Sequence, residues 1–524
     1  MIKKCLIAFA KEIAKYPLAR HLRKEVERYK WWKEFRNSNS KEHLINVPLE
    51  PRILIVTSVG ENLNALALDV VLAKALESRN AKVFILMCDG VLDACMNCEI
   101  QKFQSLSEFQ EEGSASLCKG CIRTGKIFTE SAKIEVLYLS RYVDNSKDEV
   151  NIQDIESANA GTFRFLAIGS KANAEFEAVL PKFVKGANKA RNAIETCIAQ
   201  EKIDIVVAHH GIYVPQGSAV SAAHNLGKRV VTWSQSYRRG TYLFSHDDTP
   251  HKMQIEEKYD SKTLNDSEKD KVLTYLKSRD AGTNDWIRFG IVDNSTTELP
   301  LSIKQVSTAL LLTNVNWDAQ VHFGASIFLN MEEWMLETID WFQSRPRLQL
   351  IVRIHPAEIT GTVPTRDPMA AAIRRRFPNL ASNIIIIPPN SNVSTYSLFP
   401  KADLGLIFGT KTGVELTASG IPTIVAGEAW IKNKGLTLDP KSKLEYFDLL
   451  SHFEAGEIFE GPDIDEALAY AYHYFFRRMI PVSSIKPIPF FPYARPIYNP
   501  NWEKTDPGLV NIIDGIIFGR EFEF

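Results

Sequence analysis

From residue 51 onward, apolar β-branched runs alternate with stretches of helical period. The runs at 53–58, 83–87, 134–139, 165–168, 203–208 and 230–233 are continuously apolar, as in parallel strands buried on both faces. Between them, 63–77 and 172–199 carry apolar residues at helical spacing. Strand and helix in turn predict a doubly wound, Rossmann-like α/β domain over 50–260. From 261 to 300 the chain turns polar and charged, as in Asn265-Asp266-Ser267-Glu268-Lys269-Asp270, and a linker is expected. A second α/β series follows over 301–484. Its strands are expected at 309–313, 348–354, 383–387, 404–408 and 423–426, and its helices at 326–342, 368–376, 413–419 and 465–478. The Pro- and aromatic-rich tail, 485–524, reads as an ordered wrap.

The first 45 residues have another character. Ile2, Leu6, Phe9, Ile13, Leu22 and Val26 recur at roughly helical spacing among many lysines and arginines, predicting a basic amphipathic helix. Such a helix either lies on the anionic inner face of a membrane through 1–35, with Trp31 and Trp32 near the headgroups, or packs on the first domain. Lys11, Glu12 and Lys15 interrupt the apolar stretch, which disfavours a signal peptide. No apolar run reaches the roughly 18 residues that span a bilayer. The expectation is a cytoplasmic protein, peripheral on the inner membrane face if the helix binds lipid. A length of 524 residues exceeds one ordinary core. The formal charge of -1 leaves no global attraction for nucleic acid.

Chemistry concentrates in the second half. Arg353-Ile354-His355-Pro356 follows an expected strand, and Gly409-Thr410-Lys411-Thr412-Gly413-Val414-Glu415 ends another and opens a helix. Open parallel sheets bind ligands outside the carboxyl ends of their strands. Backbone N–H groups with the Thr410 and Thr412 hydroxyls suit phosphate, Lys411 adds charge, Gly409 and Gly413 admit close approach, and Glu415 is placed for ribose hydroxyls. Arg353 and His355 are expected to donate to the same phosphates as a leaving group departs. The plain alternative is a core histidine and an ordinary strand-to-helix turn.

These residues carry a resemblance. Arg353 to Glu358, the segment 391–403 and the run 409–427, ending Gly420-Ile421-Pro422-Thr423-Ile424-Val425-Ala426-Gly427, resemble the capsule polysaccharide biosynthesis family over about 313–446. That family is related to transferases of Kdo from CMP-Kdo, and its His-Pro pair is similar to that of GT-B sialyltransferases, where it contacts the CMP phosphate. The resemblance implies a GT-B fold, two Rossmann-like domains facing a cleft. It also implies an inverting glycosyltransferase of surface polysaccharide biosynthesis that moves a sugar from a nucleotide-sugar donor, a CMP-activated acid sugar among them, to a polysaccharide or glycolipid acceptor. No catalytic metal is required by that scheme. Asp89, in Cys88-Asp89-Gly90, is similar to the Asp/Glu-Gly element of sialyltransferases and is the first candidate base, although Asp-Gly also favours a plain turn. His209 and His210 compete for that role and, with Gly211 and Tyr213, are the candidate acceptor contacts. Teichoic-acid polyol-phosphate transferases share the His-Pro pattern, and a non-catalytic polysaccharide assembly or export component is the non-enzyme alternative.

Five of the seven cysteines fall between 88 and 121. Cys95-x2-Cys98 and Cys118-x2-Cys121 suit two knuckles giving four thiolates to one structural zinc in an insertion at 88–125. An iron–sulfur cluster or a metal-free set of thiols are the alternatives, and Cys88 is a spare that could replace a ligand. The segment is too poor in basic and aromatic residues for a nucleic-acid platform.

Overall fold

The computed structural model describes residues 26, 30, 50–57, 59–146, 148–252, 259, 262–281, 284–286, 306–318, 326–361, 363–457, 459–487, 494–497 and 499–524. Apart from Val26 and Lys30, the basic segment expected to form an amphipathic helix and meet a membrane lies outside the described residues. Among the described residues no helix is long and apolar enough to cross a membrane.

In the first domain β1 (Arg52–Val56), β2 (Lys82–Met87), β3 (Glu135–Tyr138), β4 (Ile205–His209) and β5 (Arg229–Gln235) run parallel, and β6 (Thr241–His246) joins β5 antiparallel. The order β6-β5-β4-β1-β2-β3 reverses between β1 and β4, which opens a crevice outside their carboxyl ends. Alternate strand residues enter two cores. Ile53, Ile55, Val83 and Ile85 meet α1 (Leu63–Ser78), while Leu54, Val56, Phe84 and Leu86 meet the opposite layer. The second layer is built from α2 (Leu106–Glu112), α4 (Ile152–Leu166), α5 (Ala174–Gln200) and α6 (Gln216–Asn225), and α3 (Ala115–Ala132) adds Phe128 and Ala132 to the first. Side-chain caps set several helix starts: Asn62 accepts the Ala65 N–H, and Asn151 with Asp154 forms a reciprocal capping box.

One expectation changes here. Residues 165–168 are not a strand, because α4, launched by that capping box, runs to Leu166 and closes on Ala167 at φ 52. Phe163, Phe165 and Leu166 are simply the last buried positions of its apolar face; a four-residue apolar run does not distinguish the two structures. The cysteine segment lies in the β2-to-β3 crossover, and Cys118 and Cys121 stand on its helix α3.

The second domain holds β7 (Thr308–Leu312), β8 (Gln349–Arg353), β9 (Ile384–Ile387), β10 (Leu404–Ile407) and β11 (Thr423–Val425), all parallel in the order β11-β10-β7-β8-β9. Its reversal lies between β7 and β10. One face is covered by α8 (Met331–Gln343), α9 (Met369–Arg376) and α11 (Lys443–Glu454). On the other face lie α7 (Asp266–Ala281), α10 (Thr412–Thr417) and α12 (Ile464–Tyr472). Helix α7 occupies the stretch expected as linker. Its surface is polar, but Val272 and Tyr275 enter the core of the second domain, so a narrow apolar stripe suffices to dock it.

The chain then returns to the first domain. β12 (Ile480–Pro481) pairs with β6, and β13 (Ile485–Pro487) pairs with β14 (Ala494–Pro496). Helix α13 (Pro507–Phe518) sends Leu509, Ile512, Ile513 and Ile516 into the core beneath β1 and β2. The expected wrap over 485–524 is thus a structural layer of the first domain. Across the junction, the Lys411 ammonium lies 4.9 Å from the centroid of the Tyr237 ring, so loops beyond β10 and β5 meet. The whole is a GT-B layout.

Candidate functional site

Three strand exits converge at the reversal of the second sheet. Beyond β7, the Thr313 hydroxyl accepts the His355 backbone N–H at 3.0 Å, and Asn314 Nδ2 donates to the Gly409 carbonyl at 3.0 Å. The two sequence motifs are therefore joined through the strand between them.

Arg353 is 4% exposed. Its Nη1 donates to the Ile354 and Pro388 carbonyls, its Nε is buried without a partner, and among the described residues no carboxylate pairs with it. Burial pushes its guanidinium down to about 10. A buried cation that no anion neutralises is costly.

His355 accepts the Ala357 N–H at Nδ1, 3.1 Å away, which leaves the proton of the neutral ring on Nε2. Burial, reinforced by Lys411 and Arg353, lowers its pKa to about 3. It is a neutral donor throughout the physiological range. Pro356 opens a single helical turn, within which Glu358 is buried, accepts the Met369 N–H and is pushed up to about 7 by burial.

In the second motif, Thr410 Oγ1 lies 3.2 Å from Thr412 Oγ1 and accepts the Thr412 N–H. Gly409 is buried at the exit of β10. Gly413 serves packing: a Cβ there would come 2.5 Å from Ile407 Cδ1 and 2.9 Å from Ile431 Cγ2. Glu415 does not face open solvent. It is 2% exposed, and its carboxylate takes Arg279 Nε at 2.8 Å, Tyr396 Oη at 3.1 Å and Lys411 Nζ at 3.3 Å. Burial alone would raise its pKa, but Arg279 and Lys411 hold it low. Arg279 and Tyr396 were invisible as site residues, since Arg279 lies in the polar stretch expected as linker and Tyr396 in an irregular turn.

In the first domain, His209, His210 and Gly211 stand at the carboxyl end of β4, beside that sheet's reversal. The His210 ring stacks on His251 at 4.6 Å and meets His209 edge-on at 4.9 Å. His251 Nε2 lies 2.9 Å from Ser234 Oγ. Burial, then His251, pushes His209 to about 3, and the same causes lower His210. His251 was not foreseen; only the fold brings it here. Tyr213 is 4% exposed and packs with Ile212 and Ala160. A cavity of ≈ 250 Å³ opens beside the loop, with Gly211, Ile212, Ser157, Ser221, Asp248 and Lys252 among its walls.

Asp89 is brought to none of these groups. Its carboxylate accepts both the backbone N–H and the hydroxyl of Ser140, capping the turn beyond β3. The cysteines are free thiols grouped at the end of β2 and on α3.

No family profile and no curated protein matches this chain. Among solved structures, it is similar to the KpsC β-Kdo 2,4 transferase of Thermosulfurimonas dismutans, at 16% identity over 53% of this chain and 82% of that one, with a TM-score of 0.37. It is similar to the UDP-GlcNAc 2-epimerase of Neisseria meningitidis bound to UDP-GlcNAc, at 11% identity over 80% and 97% of the two chains, with a TM-score of 0.25. The glycosyltransferase SsfS6 of Streptomyces sp. SF2575, complexed with thymidine diphosphate, shares 9% identity over 80% and 95%, with a TM-score of 0.23. Likenesses this distant leave the chain's own residues as the ground for its function.

Proposed function

We propose that the chain is a GT-B glycosyltransferase of surface-polysaccharide biosynthesis, using a nucleotide-sugar donor held at the reversal of the second sheet. The observation that carries the reading is the buried Arg353 guanidinium, without a carboxylate partner among the described residues, at the end of the strand that leads to the neutral His355. A donor phosphate supplies the missing anion. His355 donates Nε2–H to the departing phosphate, and Arg353 and Lys411 offset the charge that grows as the bond to the sugar breaks. Glu415 holds Lys411 from inside rather than meeting a ribose. The acceptor hydroxyl, from a polysaccharide or glycolipid, enters from the first domain, where His210 takes its proton in an inverting displacement. His210 is favoured over Asp89 on position, since it stands at the carboxyl end of β4 beside the sheet's reversal while Ser140 holds the Asp89 carboxylate at the turn beyond β3.

The test is a thermal-shift panel of CMP, CDP, UDP and GDP with the parent and His355→Ala, since a ligand of the folded state raises apparent stability. A shift with CMP that His355→Ala loses supports a CMP-activated acid sugar as donor. A UDP or GDP shift moves the donor class, and the absence of any shift overturns the transferase reading. Product analysis then separates a glycoside from the phosphodiester of a polyol-phosphate transferase.

A further inference from the structure

Where the first domain, α7 and the returning chain adjoin, positive charge gathers on two aromatic rings. The Arg238 guanidinium, on the turn between β5 and β6, lies 4.2 Å from the centroid of the Phe476 ring, and the Lys271 ammonium, on α7, lies 4.6 Å from the same centroid. Phe476 stands in the single π-helical turn His473–Arg477 that follows α12, and its ring stacks on Tyr472 at 5.2 Å. The Tyr472 ring in turn has Lys271 at 5.6 Å and Arg477 at 5.3 Å. A ring attracts a cation through its quadrupole but carries no charge to cancel it.

Three cations therefore share this corner, and among the described residues a single carboxylate pairs with any of them. That carboxylate is Glu268, 3.7 Å from Arg477, and its other oxygen already accepts the Asn265 N–H at the start of α7. Arg238 is half-buried, and burial lowers the pKa of its guanidinium with only Tyr275 and Tyr472 opposing. Burial and then Arg238 lower the Lys271 ammonium, against Glu268. Like charges thus face each other where water screens them incompletely.

We propose that Arg238 and Lys271, with Arg477 beside them, form a binding site for a phosphate-class anion, separate from the site at Arg353. Phosphate oxygens meet a guanidinium as a planar fork and an ammonium as a point charge. The site draws on the β5–β6 turn of the first domain, on α7 and on the chain leaving α12. Tyr237, the residue before Arg238, has its ring centroid 4.9 Å from the Lys411 ammonium. An anion held here therefore ties the first domain to α7 beside the loop beyond β10. Its phosphate belongs either to a soluble phosphorylated compound or to a lipid headgroup.

The test is thermal unfolding of the full chain with inorganic pyrophosphate against sodium chloride of equal ionic strength, so that general screening cancels. The Arg353→Met background removes the other phosphate contact. In that background pyrophosphate should still raise the unfolding temperature. Adding Lys271→Met or Arg238→Met should weaken pyrophosphate about tenfold or more, as the loss of one charge-assisted partner does. No rise in Arg353→Met, or a rise that either added variant keeps in full, overturns the proposal. Should Arg238→Met fail to fold, Lys271→Met, at an exposed helix position, decides alone. Co-sedimentation with phosphatidylglycerol and phosphatidylcholine vesicles then names the source. Binding to the anionic vesicles that Lys271→Met weakens assigns the phosphate to a lipid headgroup, and vesicle binding that it leaves unchanged assigns it to a soluble compound.

Discussion

Arg279 and Glu415 meet in a buried ion pair, Nε to Oε1 at 2.8 Å, with side chains 6% and 2% exposed. Tyr396 bridges the two, Tyr275 and Asp285 take the other side of the guanidinium, and Lys411 completes the cluster. Helix α7 is thereby locked to α10, the helix that follows β10. Removing one member leaves the other charge with part of its set, Asp285 for Arg279 and Lys411 for Glu415, so the cost falls below the figure of about 3–5 kcal/mol for a wholly stranded buried charge. Arg279→Met and Glu415→Met should each lower the denaturant midpoint, and the double variant should lose less than the sum of the two. A double variant as damaged as the sum of the two would refute the pairing.

His355→Ala should reduce transfer by about 10²–10³, the cost typical of losing one donor to a developing charge, without moving the unfolding midpoint by comparable measure. Because His355 is neutral from about pH 3 upward, the rate should show no ionisation near pH 6.5 arising from it. A limb near that pH that vanishes in His355→Gln would contradict the assignment.

Arg353→Met separates ligand binding from stability. The unliganded variant should be as stable as the parent or more so, since a buried guanidinium without an anion is removed. Its thermal shift with nucleotide should be lost. A large destabilisation without ligand would mean that its bonds to the Ile354 and Pro388 carbonyls are its whole purpose.

Much of this was legible early, and the reason is local. The strands of both sheets are buried on both faces and write continuous apolar runs, and the His-Pro and Gly-Thr motifs fall on strand exits, where they were expected. What sequence does not write is partnership across distance. Arg279 lies 136 residues from Glu415, inside a helix so polar that it reads as linker. Asp89 reads as a candidate base, and nothing near it in sequence announces that Ser140, 51 residues on, donates to its carboxylate.

Asp69 gives a pH signature. It is buried beneath Trp233 and Thr57, which donate to its carboxyl at 3.1 and 2.7 Å, and burial raises its pKa from 3.8 to about 7. A carboxyl raised on folding adds stability that is complete below about pH 4 and lost as pH climbs through 7, a change of roughly 4 kcal/mol. Stability measured by urea unfolding should therefore fall from pH 4 to 7, and Asp69→Asn should flatten that slope. An unchanged slope would show that Asp69 does not titrate in this window.

The return of the chain to its first domain has a consequence for biosynthesis. Ile480, Trp502, Leu509, Ile512 and Phe522 complete the core that Ile53 and Ile55 begin. A nascent chain released only as far as its second sheet has this face of its first sheet covered only in part, by α1 and α3. The first half is therefore made first and finished last, and its exposed apolar face has to be kept from other chains while the second half is synthesised.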